Sequence, residues 1–214
     1  MELLRHLLAQ DPSSPRLTVY NEKLGSRLDF SATTLDNWAA KVANMLEEEF
    51  DLEPGASIGI VLPGSWQSVA ITLGALAAHM QVRFSSADVD VLFCSVDSIP
   101  EDAPADTVLV TDDPFGRGVS ELGLDLPSGC VDFGPTVRFY GDQYFGASPA
   151  LADVIAPAPT SSRVLTTGIS TWDDMVSTVL APLAAGGSVV VVSGMADLAR
   201  LDRIREIEKV TKNI

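Results

Sequence analysis

The chain has 214 residues, 46% of them hydrophobic, which is enough for a buried core and excludes an intrinsically disordered protein. Its 29 acidic and 14 basic residues give a net charge of −15. This charge argues against nucleic acid and against an anionic membrane surface, because both require clustered Lys and Arg. No apolar run approaches the ~20 residues that span a bilayer, and the charged N terminus is unlike a secretory signal. We therefore expect a cytoplasmic protein.

Two helices are predicted near the N terminus. The first carries Leu3, Leu4, Leu7 and Leu8 on one stripe, as a docking helix would, and ends at Pro12. The second is amphipathic and opens with residues 31–34, among which Thr33 stands in capping-box spacing with Asp36. An acidic run at 47–49 forms its solvated end.

Beyond residue 56, short apolar runs alternate with helical segments. Continuous apolar runs of this length are typical of strands buried on both faces of a parallel sheet. The predicted strands are 58–62, 89–94, 107–111, 163–165 and 188–192, and the predicted helices are 66–80, 172–185 and 196–209. This alternation predicts an α/β fold, with parallel-sheet layers and flanking helices.

An internal correspondence bears on domain organisation. Residues 57–67 align without a gap with residues 163–173, and both segments lead into an Ala- and Leu-rich helix and a Val-containing strand. Generic strand–helix–strand patterning is the alternative explanation; we favour two related halves. The prediction is one α/β domain over 1–214, with halves of about 1–111 and 160–214 joined by a loop-rich segment, 112–159. That segment is rich in Gly and Pro and contains an aromatic cluster: Phe139, Tyr140, Tyr144 and Phe145.

Catalytic, cofactor-binding and metal-ligating constellations are missing from the sequence. It has no Gly-x-Ser-x-Gly elbow, Walker loop or Gly-x-Gly-x-x-Gly motif. With only His6 and His79 available, we expect no metal site, and His79 suits the C-terminal cap of a helix. Cys94 lies in an apolar run and is expected to be a buried thiol, unpaired with Cys130.

Charged and aromatic residues elsewhere have ordinary interpretations. The basic residues of the last helix alternate with Asp202, Glu206 and Glu208, which is typical of a solvated helix face. Three tryptophans, Trp38, Trp66 and Trp172, lie on predicted helices and are expected to pack in a core or interface. Most remaining carboxylates lie in loops, where we expect them to be solvated: Asp88, Asp90, Asp97, Glu101, Asp102, Asp106, Asp112 and Asp113.

Two segments carry a resemblance to a known family. Residues 52–65, which include Gly-Ile-Val-Leu-Pro-Gly-Ser, resemble a stretch of the adenylate-forming enzymes, the acyl-CoA synthetases and their relatives. Residues 163–191, which end in Gly-Gly-Ser-Val-Val-Val, are similar to a later helix and strand of that family. The whole chain looks like short bacterial proteins that correspond to only the front part of such enzymes. The resemblance implies two related α/β halves, as in the N-terminal subdomains of acyl-CoA synthetases.

The chemistry of that family requires parts that this chain lacks. Its phosphate loop is rich in Ser, Thr and Gly and ends in Pro-Lys, because backbone N–H groups and a cation must offset the phosphate charge. Thr166-Thr167-Gly168 resembles the centre of that loop, but Ile169-Ser170-Thr171 follows in place of Pro-Lys-Gly. Asp173 and Asp174 would repel a phosphate. The family's ribose-binding Asp and catalytic Lys have no counterpart either, so we expect no catalytic residues and no cofactor.

The leading functional interpretation is a non-catalytic scaffold or interaction protein with an unknown protein partner. We also expect a homodimer through the second half, whose apolar residues include Val189–Val192, Ile204, Ile207 and Val210. Two alternatives stay open. One is a module that binds an acyl or aromatic carboxylate, or a nucleotide fragment, between the halves. The other is an enzyme of unrecognised type that uses Cys94, His79 or a pair of Asp residues.

Overall fold

The computed structural model describes residues 1–213, which form two compact units. Unit I comprises Met1, Asp36–Leu62 and Ala70–Pro149, and unit II comprises Glu2–Leu35, Pro63–Val69 and the residues from Ala150 onward. No helix within residues 1–213 combines the length and apolar character needed to cross a membrane.

Ten strands and eight α-helices are assigned within the described residues. In chain order they are α1 (Arg5–Gln10), β1 (Pro15–Asn21), β2 (Ser26–Ser31), α2 (Ala32–Glu48), β3 (Ser57–Val61), α3 (Trp66–Ala77), β4 (Gln81–Arg83), β5 (Val91–Ser95), β6 (Asp106–Val110), β7 (Cys130–Asp132), α4 (Phe133–Phe139), α5 (Leu151–Val154), β8 (Arg163–Thr166), α6 (Trp172–Met175), α7 (Ala181–Ala184), β9 (Ser188–Ser193), α8 (Leu198–Ile207) and β10 (Lys212–Asn213). A 3₁₀ turn at Ser120–Leu122 and a π-helical turn at Val176–Leu180 complete the order.

The sheet of unit I is entirely parallel, in the order β4-β3-β5-β6-β7. Its central strand β5 is buried from Val91 to Cys94, as its continuous apolar sequence predicts. Phe93 packs edge-on against Phe133 of α4, with ring centroids 6.1 Å apart. The predicted strands 58–62, 89–94 and 107–111 are thus confirmed to within two residues at each end.

The sheet of unit II has the order β10-β8-β9-β1-β2. Strand β1 pairs in parallel with β9, with Leu17 opposite Val189, and antiparallel with β2. One face of this sheet packs against α8 in a cluster of buried residues: Tyr20, Leu165, Val190, Val192, Leu201 and Ile204. The sequence pattern predicts no strand at β1 or β2, although β1 lies near the middle of the sheet.

Helix α2 begins at Ala32, within the predicted opening 31–34. The Thr34 N–H donates to Ser31 Oγ over 3.1 Å, so Ser31 caps this helix, not Thr33. The Thr33 hydroxyl donates instead to the Pro12 carbonyl, 3.0 Å away. The predicted cap was wrong because the helix already begins at Ala32, which places Thr33 inside its first turn.

Helices α2 and α3 approach closely within unit I. A Cβ atom on Gly74 would lie 2.5 Å from Val42 Cβ and 2.7 Å from the Ala39 carbonyl oxygen. Real Cβ atoms do not come this near to a neighbour, so the contact between the two helices requires a glycine at this position.

The two corresponding segments both form strand–helix–strand units with parallel strands. In one, β3 pairs with β4, and in the other, β8 pairs with β9. Trp66 and Trp172 each begin the helix that follows the first strand. The predicted helix 172–185 contains a π-helical turn near Pro182, which has no N–H to donate to Thr178. That residues 56–84 and residues 162–192 superpose on each other remains a prediction.

Candidate functional site

The loop that follows β8 occupies the position where open α/β sheets bind ligands. Such sheets bind at the carboxyl ends of their strands, often against the N terminus of the next helix. Strand β8 ends at Thr166 and α6 begins at Trp172. The Thr166 hydroxyl donates to the Gly168 carbonyl over 3.0 Å, which closes the first turn of the loop. The stretch from 166 to 174 contains no Lys or Arg.

The Asp174 carboxylate already binds the donors of this loop. Its Oδ2 accepts hydrogen bonds from the N–H of Ser170 (3.1 Å), the N–H of Thr171 (3.0 Å) and the Ser170 hydroxyl (3.0 Å). The Asp174 N–H donates back to Thr171 Oγ1, which completes a capping box. These hydrogen bonds, the one from the Ser170 N–H above all, lower the pKa of Asp174. The loop thus carries its own anion, while Asp173 is exposed beside it.

A polar concavity of about 410 Å³ lies at the opposite, amino edge of the unit II sheet. It is lined where β1, β8, β9 and β10 begin and where α1 ends. Serine hydroxyls and two glycines, Gly186 and Gly187, form much of the lining, together with Arg16 and Arg163.

Arg16 is the buried cation of this concavity, with 6% of its surface exposed. Its guanidinium donates to the carbonyls of Gly186 (2.8 Å) and Gly187 (3.4 Å) and to Gln10 Oε1 (2.9 Å). Its buried Nε has no hydrogen-bond partner among residues 1–213. Burial lowers the pKa of Arg16, and the charge of Asp11 offsets this in part.

Glu208 is the centre of a second charged cluster in unit II. It is 7% exposed and accepts from the Tyr20 hydroxyl (2.6 Å), Arg27 Nε (2.8 Å) and Arg163 Nη2 (2.6 Å). Burial alone would raise the pKa of Glu208, but the hydrogen bonds from Arg27, Tyr20 and Arg163 lower it to about 2. The solvated position predicted for Glu208 was wrong, because α8 ends at Ile207 and turns this side chain toward the sheet.

The aromatic cluster of the sequence forms a strap, residues 139–145, anchored to α2 and the residue after it in unit I. Lys41 Nζ donates to the Tyr140 carbonyl over 2.6 Å. Asn44 Nδ2 donates to the carbonyls of Gly141 and Gln143, both over 3.0 Å. The buried hydroxyls of Tyr140 and Tyr144 donate to carboxylates of the acidic run 47–49. Burial, with Glu49 beside it, raises the pKa of Tyr140 to about 12.

Two phenylalanines of the same strap face solvent. Phe139 is 85% exposed and Phe145 is 89% exposed. Asp142 belongs to the strap, and Glu48 lies between the two carboxylates that the strap tyrosines bind; both are exposed and make this surface acidic. The strap therefore holds its tyrosines inward and presents its phenylalanines outward.

The residues named for an unrecognised enzyme are not brought together as a reactive group. Cys94 is fully buried, and burial, with Cys130 nearby, raises the pKa of its thiol to about 11. Both cysteines are free, as predicted. His79 is exposed and has a φ of +59°. It ends α3 through its backbone, because its N–H donates to the Leu76 carbonyl and the Met80 N–H donates to the Ala75 carbonyl. The capping position of His79 is thus confirmed.

Of the eight loop carboxylates expected to be solvated, seven are exposed and only Asp113 is buried. Several loop carboxylates also bind backbone N–H groups. Asp90 accepts from the Ser57 N–H (2.7 Å), which lowers its pKa. Asp113 is 5% exposed and binds the N–H and the guanidinium of Arg117. Asp132, which the sequence analysis passed over, is buried and accepts the N–H groups of Val119 and Ser120. Within residues 1–213, no group of three or more His, Cys, Asp or Glu is placed to hold a metal ion.

Solved structures with the same fold include two synthetases. The chain matches an acyl-CoA synthetase of Brucella canis with a TM-score of 0.74 and 16% identity, over 94% of this chain and 44% of the enzyme. It matches the acetoacetyl-CoA synthetase of Streptomyces lividans with a TM-score of 0.72 and 16% identity, over 98% of this chain and 41% of the enzyme. The predicted acyl-CoA-synthetase-like α/β fold is confirmed, and the chain spans less than half the length of either enzyme.

No family model matches the chain, but a curated relative does. A protein of Mycobacterium tuberculosis described as "TIGR03089 family protein" is 35% identical over 238 aligned residues, which cover 98% of this chain and 95% of the relative. Because the likeness extends over almost the whole of both proteins, this chain belongs to the TIGR03089 family.

Proposed function

We propose that this protein is a non-catalytic interaction protein, built on the fold of the front part of an acyl-CoA synthetase. The observation that carries the proposal is the Asp174 carboxylate, which accepts the N–H groups of Ser170 and Thr171. An ATP phosphate at this loop would have to displace a carboxylate from its own hydrogen bonds. The loop supplies no cation to offset the phosphate charge.

Nucleotide chemistry provides the first test. The protein should show neither saturable ATP binding by calorimetry nor carboxylate-dependent exchange of pyrophosphate into ATP. A saturable exchange signal that survives repurification would overturn the proposal.

An Asp174→Ala variant separates a protein without catalysis from an enzyme that is merely blocked. The substitution frees the two N–H groups but adds no cation, so exchange should stay absent in this variant. Asp173→Ala, which removes an exposed carboxylate from the neighbouring position, is the matched control. Exchange that begins in Asp174→Ala and not in Asp173→Ala would mean that the chain is an autoinhibited enzyme.

The interaction role is supported by the strap 139–145. Exposed aromatic side chains contribute strongly to binding when they are held rigidly, because little conformational entropy is lost on association. The strap meets this condition through its hydrogen bonds to Lys41 and Asn44. Its acidic neighbours Glu48 and Asp142 favour a basic partner. We therefore take the partner to be a protein segment with an apolar face and flanking Lys or Arg.

A designed peptide can test this surface directly. The probe is an amphipathic helix with Leu on one face and Lys on the other, and its counterpart carries Glu in place of Lys. The Lys peptide should bind, and the double variant Phe139→Ser/Phe145→Ser should weaken it at least about tenfold. The control, Met195→Ser/Leu198→Ser, removes two residues of unit II that are 98% and 75% exposed. Equal loss in both double variants, or equal binding of both peptides, would contradict the role of the strap.

A further inference from the structure

We propose that the concavity at the amino edge of the unit II sheet is a binding site for a small oxyanion, with Arg16 as its cation. This site is distinct from the loop that Asp174 blocks, which follows the other end of β8. It goes beyond the interaction role and does not depend on it.

The charge of Arg16 is buried without an ion pair, although the carboxylate of Asp11 lies near enough to act on it electrostatically. Its hydrogen-bond acceptors are two carbonyls and an amide oxygen, and it forms no ion pair with any described residue. Arg163, which lines the same concavity, pairs with Glu208 at 2.6 Å. A buried charge is normally paired, because removing it from water is costly. An external anion would supply the ion-pair partner that Arg16 lacks.

The surrounding groups offer further donors to such an anion. Gln10 uses its Oε1 to accept from Arg16, so its amide nitrogen, with two N–H donors, remains for a ligand. Ser14, Ser161 and Ser162 also line the concavity. The carboxylate in the lining, Asp11, is held by Ser13 through its N–H (3.0 Å) and its hydroxyl (2.8 Å).

The lining also indicates the class of ligand. A planar guanidinium binds carboxylate and phosphate groups well. Because serine hydroxyls and glycine backbone surround it, the rest of the ligand should be polar and not an acyl chain. A volume of about 410 Å³ accommodates a small molecule. The site therefore suits a phosphate- or carboxylate-bearing polar metabolite, or the free anion.

Titration with defined anions tests the site. Sodium phosphate, sulfate, acetate and ribose 5-phosphate would each be compared with sodium chloride at fixed ionic strength. The full chain should show a saturable rise in Tm and saturable shifts of the Ser161 and Ser162 amide resonances. Tighter binding of ribose 5-phosphate than of phosphate would identify an ester as the ligand, and equal affinity would identify the free anion. If none of the four has a saturable effect, the proposal is overturned.

The sharpest variant supplies an internal counter-ion. Gln10→Glu places a carboxylate where Oε1 lies 2.9 Å from Arg16 Nη2. This variant should have a higher Tm without ligand, and its affinity for phosphate should fall at least about tenfold. Gln81→Glu, the same change at an exposed position of unit I, should change neither the Tm nor the affinity for phosphate. Phosphate binding that is equal in Gln10→Glu and wild type would place the anion elsewhere and overturn the site. Arg16→Met should also lose binding; Gln10→Glu keeps the test decisive if that variant fails to fold.

Discussion

Replacing Glu208 by Gln should destabilise unit II at neutral pH and much less in acid. Gln resembles the protonated carboxyl in shape. The variant therefore loses the stabilisation that the ionised Glu208 carboxylate gains from its hydrogen bonds with Tyr20, Arg27 and Arg163. A pKa lowered from 4.5 to about 2 corresponds to about 3 kcal/mol of stability at pH 7. Because the folded-state pKa is the lower one, this stability is complete above about pH 4.5 and declines as the pH falls toward 2. At pH 3 about half of it should remain.

Urea unfolding at pH 7 and at pH 3 measures this difference. The free energy of unfolding of Glu208→Gln should lie about 3 kcal/mol below that of the wild type at pH 7 and about half as far below at pH 3. Glu206→Gln, which changes an exposed carboxyl in the last turn of α8, should stay within about 0.5 kcal/mol of the wild type at both pH values. A difference that is independent of pH would refute the reasoning, because it would mean that the ionised form of Glu208 is not preferentially stabilised by folding.

Three further predictions concern packing, thiols and assembly. Gly74→Ala should destabilise the protein by about 1–3 kcal/mol despite the better helix propensity of Ala, because its Cβ would meet Val42. The control Gly168→Ala, whose Cβ meets nothing within 4 Å, should be close to neutral. Equal Tm values for the two variants would argue against the close approach of α2 and α3. Iodoacetamide at pH 8 should alkylate half-buried Cys130 well before buried Cys94, and equal rates in the folded protein would contradict the raised pKa of Cys94. The homodimer remains a proposal: light scattering should give twice the chain mass of 22.7 kDa, and 22.7 kDa at tens of micromolar would contradict it.

The parallel strands could be predicted because a strand that is buried on both faces consists of consecutive apolar residues. Strands β5 and β9 are buried on both faces, and an apolar run of this length fits few other structures. The cap at His79 was predictable for a similar reason, since the end of an Ala-rich helix is a local feature. Local patterns therefore identified most of the elements and the fold class.

Strand β1 escaped prediction because its polar residues depend on distant partners. Thr18 is buried and donates to Asp29, Tyr20 donates to Glu208, and Arg16 reaches Gly186. A strand with this sequence resembles an exposed segment until those partners are known.

For Asp174, only the sign of the charge that it brings to the loop could be predicted. Its negative charge beside the loop is evident from the sequence and argues against a phosphate. That the carboxylate turns back to accept the N–H groups of Ser170 and Thr171 depends on the three-dimensional form of the loop. The concavity around Arg16 could not be predicted, because its lining comes from segments far apart in the chain.

The position of β1 has a consequence for how the chain acquires its structure during synthesis. Its neighbour on one side, β2, follows within a few residues, but its neighbour on the other, β9, begins at Ser188. While the chain emerges from the ribosome, the edge of β1 that pairs with β9 therefore has unpaired N–H and C=O groups until β9 has been made. The nascent hairpin should be open to proteases, or held by a chaperone, until β9 is translated. Limited proteolysis of released chains that end at residue 185 and at residue 213 would reveal this late closure.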